Sequence, residues 1–307
     1  MPRSYLAGFT DTGDKKTGRL YVLDKQLYKF IGPSAVSGRA FEWDWHAVSF
    51  LGVAPDVFEK KALGQFDQCS AETIKKVSED TNVNADQLDV LLNFVSLTAA
   101  RVPYYRRGVI SALESETGKP FDEAVALSKS WQFIMKWLPS MNIGWDSKDC
   151  EAFLAQEQPE SAKAENYHFF SMLLAQGTIL DLLGQRTWSL LVAEDDAGDF
   201  ICSDNPVGLH SLLPPPPEYV SPFFSHEDTI VTFPLTRELA LKGIYTEDNS
   251  YLSIEYVPLQ LVAGVNSQTM EKAVRYFYSH KDDFSFISAS GDVGRIGDTL
   301  DHLRAKS

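Results

Sequence analysis

Polar side chains collect at the end of one short apolar stretch, Asp199–Val207. The stretch reads Asp-Phe-Ile-Cys-Ser-Asp-Asn-Pro-Val, which predicts a strand that runs into a polar corner at Asp204 and Asn205. Pro206 ends the strand because it has no N–H to donate to a ladder. A carboxylate and an amide at a strand end can orient a substrate or accept its proton. The alternative is a plain turn, in which the Asp204 side chain binds neighbouring backbone N–H groups.

Basic side chains supply a second group of candidates. Arg101 follows an apolar helix face, where its guanidinium can bind an anion or a carboxylate through two hydrogen bonds. A structural ion pair with Asp204 or with a helical Glu is equally open. Arg106 and Arg275 are candidates for substrate binding, together with Tyr5 from the N-terminal segment. These side chains predict a polar pocket for a small anionic or phosphate-bearing substrate.

A weaker metal signal lies near the N-terminus. If residues 41–46 are extended, Glu42, Asp44 and His46 share one face and Trp43 and Trp45 share the other. Two carboxylates and an imidazole can hold a divalent cation. Any half-buried strand shows the same alternation, so both interpretations stay open. Apart from this possible divalent metal, the sequence leaves the cofactor open.

The order of the elements predicts an α+β fold. A mostly helical middle segment, about 55–184, is expected to pack on a mixed or antiparallel sheet built from N-terminal and C-terminal strands. Short β-prone runs fill residues 187–280, and Arg19–Asp24 is the first strand. We expect a single α+β domain over residues 1–287, followed by a C-terminal tail over residues 288–307.

Caps, breakers and turn residues set the local boundaries. They predict a helix from a cap at Asn84 or Asp86 to about Val102, helices over about 162–183 and 267–279, a hairpin turn at 195–198 and a connection over 32–38.

The composition argues against several functions. Acidic residues outnumber basic ones 42 to 28, and the net charge of −14 disfavours non-specific binding to nucleic acid or to an anionic membrane. Cys69, Cys150 and Cys202 form no CxxC pair, which argues for a reducing compartment and against disulfides or a thiolate metal site. The sequence also lacks a recognisable signal peptide or apolar span, so we expect a cytoplasmic location. Oligomeric state is left open.

Several motifs carry a resemblance to a known family. The opening Pro2-x-x-Tyr5-Leu6-x-x-Phe9 and the run Leu20–Asp24 resemble the start of the domain-of-unknown-function family numbered 4238. Further matches reach to about residue 280: Arg101-Val-Pro103, the Trp188 strand, Ser203-Asp204-x-Pro206-Val207 and Phe233-Pro-Leu235. Members typically open with a His three residues before the Pro, a position that would lie before residue 1. The resemblance implies no activity, since none is assigned to the family.

Three functions remain after this reasoning. The leading one is a hydrolase or transferase, in which Arg101 binds an anionic group, Asp204 orients the substrate or takes a proton, and Glu42 and His46 support the site or bind a metal. The first rival is a non-enzymatic interaction or regulatory protein, suggested by the aromatic content and by the proline run Pro214–Pro217. The second rival is a nuclease of bacterial defence, which the net charge disfavours. Convergence of the four candidate side chains on one cleft would favour the enzyme.

Overall fold

The structure is a computed structural model that describes residues 2–36, 64–118, 148, 160–212, 224–246 and 252–300. In chain order its main elements are α1 (Arg3–Leu6), β1 (Arg19–Asp24), β2 (Lys29–Ala35), α2 (Gly64–Glu79), α3 (Ala85–Arg101), α4 (Pro103–Thr117), α5 (Glu160–Leu183), β3 (Thr187–Ala193), β4 (Cys202–Ser203), β5 (Gly208–Ser211), β6 (Thr229–Pro234), β7 (Leu239–Ile244), β8 (Leu252–Val257), α6 (Leu259–Lys272), β9 (Tyr276–Ser279), β10 (Ser285–Ile287) and β11 (Val293–Arg295). The predicted α+β class is confirmed.

The strands form two main sheets and a hairpin. One sheet has the order β2-β1-β9-β4, the other has the order β5-β6-β7-β3-β8, and β10 pairs with β11. The described pairs are antiparallel, except that β3 and β8 run parallel. β1 pairs with β9 from Tyr21–Ser279 to Asp24–Tyr276, so N-terminal and C-terminal strands share a sheet, as predicted.

The chain divides into two compact units. One comprises Met1–Phe41, Ala71–Leu91 and Leu183–Ser307, and the other comprises Glu42–Ser70 and Leu92–Leu182. The first unit contains the sheets and α6, and the second contains α4, most of α3 and nearly all of α5. A single domain over residues 1–287 stays a prediction. In the part of the chain that is described, no helix combines the length and the apolar character that crossing a bilayer requires.

Helix α6 contributes to the hydrophobic core beside both sheets. Val262 and Val265 pack with Leu191 of β3 and Val257 of β8. Near its other end, Ala273 packs in a cluster with Leu23 of β1, Phe277 of β9, Ile296 and Leu300. Burying side chains of this size stabilises the fold by about 1.5–3 kcal/mol each. The core therefore includes residues beyond 288, where the sequence predicted a tail.

The predicted helices of the middle segment are well placed. Asn84 caps α3 through a reciprocal pair, because its Oδ1 accepts the N–H of Gln87 and its own N–H donates to Gln87 Oε1, both at 2.9 Å. α3 ends at Arg101, before Pro103 begins α4. α5 covers the helix predicted over about 162–183.

Three local predictions were wrong. The segment predicted as a connection contains β2, in which Gly32 and Pro33 lie opposite a register shift of β1, where sheets tolerate both residue types. The turn Asp195–Gly198 does not close a hairpin, because β3 and β4 belong to different sheets. The last helix starts at Leu259 and ends at Lys272, so its predicted second half is strand β9.

Candidate functional site

Asp204 follows β4, and its carboxylate binds the backbone between α6 and β9. Oδ1 accepts the N–H of Val274 at 2.8 Å, and Oδ2 accepts the N–H groups of Arg275 and Tyr276 at 2.7 and 3.0 Å. The N–H of Asp204 donates to the Tyr276 carbonyl at 3.0 Å. This carboxylate therefore holds the chain where the helix stops and the strand begins. A catalytic role for Asp204 stays a prediction, and these bonds do not favour it.

Side chains also bind the last carbonyl groups of α6. Asn205 Nδ2 donates to the Lys272 carbonyl at 3.0 Å. Lys25 Nζ donates to the carbonyls of Met270 and Ala273, both at 3.1 Å. Such donors satisfy carbonyls that a helix end leaves unpaired, and a cation there complements the helix dipole. The corner around Asp204 and Asn205 is thus a C-terminal cap for α6.

Arg275 forms an ion pair with the buried carboxylate of Asp24. Its Nε and Nη2 donate to Asp24 Oδ2 at 3.0 and 2.9 Å. Burial by itself raises the pKa of Asp24, but the hydrogen bonds from Arg275 and from the amides of Leu27 and Gln26 outweigh it and lower the pKa. These guanidinium donors are therefore committed to a structural pair, and substrate binding by Arg275 stays a prediction.

Tyr5 is a core residue that anchors the N-terminal segment. Its hydroxyl donates to the Pro234 carbonyl at 2.5 Å, and its ring stacks on Phe233 with centroids 5.4 Å apart. Burial, followed by the neighbouring Cys202 thiol, raises the pKa of Tyr5 well above its usual value. Burial likewise raises the pKa of Cys202 to about 12, so this buried thiol is protonated at neutral pH. The substrate-binding role of Tyr5 gains no support.

Arg101 pairs with Asp67 in the helical unit. Its Nη1 and Nη2 both lie 3.5 Å from the same oxygen, Oδ1, which is a loose contact. Arg101 Nε is buried without a partner among the described residues. Burial raises the pKa of Asp67 despite the opposing charge of Arg101. Arg106 is also buried in this unit. The anion-binding roles of both arginines stay predictions.

The predicted metal residues, Glu42, Asp44 and His46, lie outside the described residues. Within the described ranges, no group of three or more His, Cys, Asp or Glu side chains is arranged to hold a metal ion. The convergence of the predicted residues on one cleft also stays a prediction.

His210 lies on β5 and faces α6. Its Nδ1 is 3.7 Å from Glu271 Oε2, and its side chain is 18% exposed against 63% for Glu271. Its Nε2 is buried and has no partner among the described residues. Burial lowers the pKa of His210 to about 4; Glu271 opposes this shift, and Lys272 adds to it. The imidazole is therefore neutral at pH 7 and keeps an unpaired ring nitrogen.

Gly208 lies where β5 packs against both β6 and α6. A Cβ at Gly208 would lie 2.3 Å from Thr232 Oγ1 and 3.5 Å from Gln268 Cβ. Thr232 Oγ1 also donates to Gln268 Oε1 at 2.8 Å, which ties β6 to α6. Residues 208 and 210 share one face of β5, and this face meets α6 at Gln268 and Glu271.

Asn205 presents a second unpaired atom beside the same helix end. Its side chain amide donates to the Lys272 carbonyl, which can only accept, so the orientation of the amide is fixed. Its Oδ1 then remains without a partner in the described part of the chain, although the residue is only 4% exposed. We call Asn205, His210, Glu271 and Lys272 the β5–α6 site.

A second histidine, His280, also lies near a carboxylate and can be compared with His210. His280 Nδ1 and Lys281 Nζ lie 3.7 and 3.6 Å from Asp199 Oδ2. Burial lowers the pKa of His280, and Asp199 opposes the shift. Among the described residues, neither His280 nor Asp199 has a buried side chain atom that lacks a partner. This cluster therefore serves as a natural comparison for the β5–α6 site.

Sequence reasoning missed His210 because no other histidine or acidic residue lies at ligand spacing from it. The available signal was an imidazole on a short strand directly after Ser203–Val207, and its carboxylate partner comes from a helix 61 positions later, at Glu271. Only the fold brings these two residues together.

The fold and the site define an α+β protein in which polar side chains after β4 and on β5 contact the C-terminal end of α6. The chain belongs to the DUF4238 family, described as a protein of unknown function, whose model matches residues 1–283. The family resemblance is thereby confirmed. No curated protein matches the chain, and no solved structure does.

Proposed function

We propose that the protein is a hydrolase or transferase that acts on a small anionic substrate at the β5–α6 site. One observation carries this proposal: His210 Nε2 is buried without a partner in the described chain, while Nδ1 of the same ring faces a carboxylate. A ring nitrogen that is free to accept a proton, on an imidazole oriented by an acidic side chain, is the arrangement of many acid–base sites.

In this proposal His210 is the base and Glu271 orients it. The distance of 3.7 Å is too long for a hydrogen bond, but such contacts are often long without substrate and shorten when substrate binds. Bringing the carboxylate closer would raise the pKa of His210 from about 4 toward neutrality, where a base is most effective. Substrate binding would therefore activate the imidazole.

Two lysines near the helix end support an anionic substrate. Lys272 Nζ donates to Glu271 Oε1 at 3.0 Å, and Lys25 holds the α6 carbonyls. Their charges attract small anions locally, although the whole molecule carries a net charge of −14. The proposal does not need the divalent metal predicted at Glu42, Asp44 and His46.

The test is a turnover screen with chromogenic phosphate esters and carboxylate esters, run with and without divalent metal ions. For any substrate that is turned over, His210→Gln is expected to lower kcat by about 10²–10⁴-fold, which is the usual contribution of acid–base catalysis. The matched control is His280→Gln, since His280 also lies 3.7 Å from a carboxylate. Full activity of His210→Gln, or no turnover in the whole screen, would count against the proposal.

The rival function, a non-enzymatic interaction protein, is supported by the edge strand β8. It ends the five-stranded sheet, and Ile254 and Tyr256 are 43% and 67% exposed. Edge strands with exposed apolar side chains can add a strand from a partner. Hydrogen exchange of the β8 amides that slows when protein concentration is raised would favour this function, whereas unchanged exchange would not.

A further inference from the structure

We infer that the ligand of the β5–α6 site presents an N–H donor to Asn205 Oδ1. The inference rests on the proposed function for the location of the site, but it does not depend on turnover.

The orientation of the Asn205 amide is the first step. Its Nδ2 donates to the Lys272 carbonyl at 3.0 Å, and the backbone N–H of Asn205 donates to Ser203 Oγ at 3.2 Å. Rotating the amide would place an oxygen against the Lys272 carbonyl, so this arrangement is the favoured one. The atom that stays unpaired is therefore an acceptor, which requires a donor.

Neighbouring cationic side chains donate to other acceptors. Lys25 Nζ donates to the Met270 and Ala273 carbonyls, and Lys272 Nζ donates to Glu271. The guanidinium of Arg275 donates to Asp24. In the described part of the chain, none of these groups donates to Asn205 Oδ1. Buried acceptors are rarely left unpaired, so a donor from a ligand is the natural partner.

His210 Nε2 is a second acceptor that calls for a ligand with an N–H donor. When its Nδ1 carries the proton that faces Glu271, Nε2 is also an acceptor without a partner among the described residues. Asn205 and His210 belong to one short segment, and both contact the last turn of α6. The class of ligand is therefore a small anion with an amide or amine N–H group, rather than a simple phosphate or carboxylate.

The test uses two pairs of probes that have the same shape and differ by one amide group. Succinamate is compared with 4-oxopentanoate, and benzamide is compared with acetophenone; in each pair a methyl group replaces the NH₂. Binding is followed by the NMR signals of the Asn205 side chain. We expect each amide to bind at least about tenfold more tightly than its methyl ketone, because a site built around a hydrogen bond rejects a ligand that lacks it. The first pair tests the anion and the second tests the donor alone.

Two variants separate recognition from folding. Asn205→Ala is expected to abolish the preference for the amides. Ser267→Ala removes two other hydrogen bonds of α6, both to the backbone of Ile287, but leaves Asn205 intact, so it should keep the preference.

Equal binding within both pairs, no binding by any probe, or a preference that persists in Asn205→Ala would overturn the inference. So would a crystal structure in which an ordered water remains on Oδ1 in the presence of succinamate. Amide binding without any turnover would contradict the proposed function but not the inference about the ligand. Turnover without a preference for the amides would contradict the inference but not the proposed function.

Discussion

Asp204 and His210 are six positions apart in the sequence, and both contact the chain at the end of α6. Their polar side chain atoms differ in whether they are hydrogen-bonded. Both carboxylate oxygens of Asp204 accept hydrogen bonds from the backbone after the helix. The imidazole of His210 has a carboxylate at 3.7 Å on one side and an unpaired nitrogen on the other.

This difference separates a residue that builds the fold from a residue that is available for chemistry. Native proteins pair nearly all their buried polar atoms, so a fully bonded carboxylate is explained by the fold alone. An unpaired buried acceptor destabilises the protein by about 1–3 kcal/mol and calls for a reason outside the fold. A motif can therefore be distinctive because it ends a helix, while the atom that we propose as functional, His210 Nε2, lies on the next strand.

Replacing Asp204 is expected to give the largest effect. Asp204→Ala leaves three backbone N–H groups of residues 274–276 without their acceptor, which should lower the free energy of unfolding by about 3–4 kcal/mol. Urea unfolding measures this loss. The matched control is Asp14→Ala, because Asp14 also accepts several local bonds but lies in an exposed turn, so its loss should be much smaller. Equal losses in the two variants would contradict a special role for Asp204.

The second largest loss of stability is expected on acidification, through protonation of His210. Its pKa is about 4 in the folded protein and 6.5 ordinarily, so the unfolded chain binds more protons between these values. The stabilising contribution of the neutral imidazole is thus complete above about pH 6.5 and is lost as the pH falls toward 4. At 1.36 kcal/mol per pKa unit, this contribution amounts to about 3 kcal/mol.

Unfolding curves of the wild type and of His210→Gln, recorded from pH 7 to pH 4, isolate this contribution. The wild type should lose more stability than the variant over that range. Parallel pH dependences would show that His210 is not held in a buried neutral state.

A smaller effect is expected at Gly208. In Gly208→Ala the new Cβ would lie 2.3 Å from Thr232 Oγ1, so the Thr232 side chain or β5 must shift, at a loss of about 2 kcal/mol. The matched control is Gly264→Ala in α6, where a Cβ has nothing within 4 Å, and that variant should be neutral or slightly stabilising. Loss of the amide preference in Gly208→Ala alone would tie the packing around Thr232 and Gln268 to ligand binding, whereas unchanged stability would refute the steric argument.

Local signals predicted much of the fold. The spacing of apolar residues gave α3 and α5, and the β-prone run Arg19–Asp24 gave β1 with its bounds. The end of α6 could not be predicted in this way, because helical spacing continues past Lys272. The groups that stop the helix come from Asp204, Asn205 and Lys25, which are distant in sequence.

The site was harder to predict than the fold. The sequence indicated the corner at Asp204 and Asn205, where polar residues do gather, but it could not tell which polar atoms the fold would satisfy. For Arg101 the sequence left open an anionic ligand or a pair with Asp204 or a helical Glu, whereas its partner is Asp67 of α2, which carried no signal of its own. Pairing is decided in three dimensions, so unpaired atoms such as His210 Nε2 become visible only there.

The most direct test of this account is the ¹⁵N NMR spectrum of the His210 ring at neutral pH. The account predicts a neutral imidazole with the proton on Nδ1, facing Glu271, and a bare Nε2 that accepts no hydrogen bond until an amide probe is added. The same signals should appear in any folded Asp204 variant. A proton on Nε2, or a charged ring, would contradict the claim that this strand, and not the acidic corner before it, carries the reactive group.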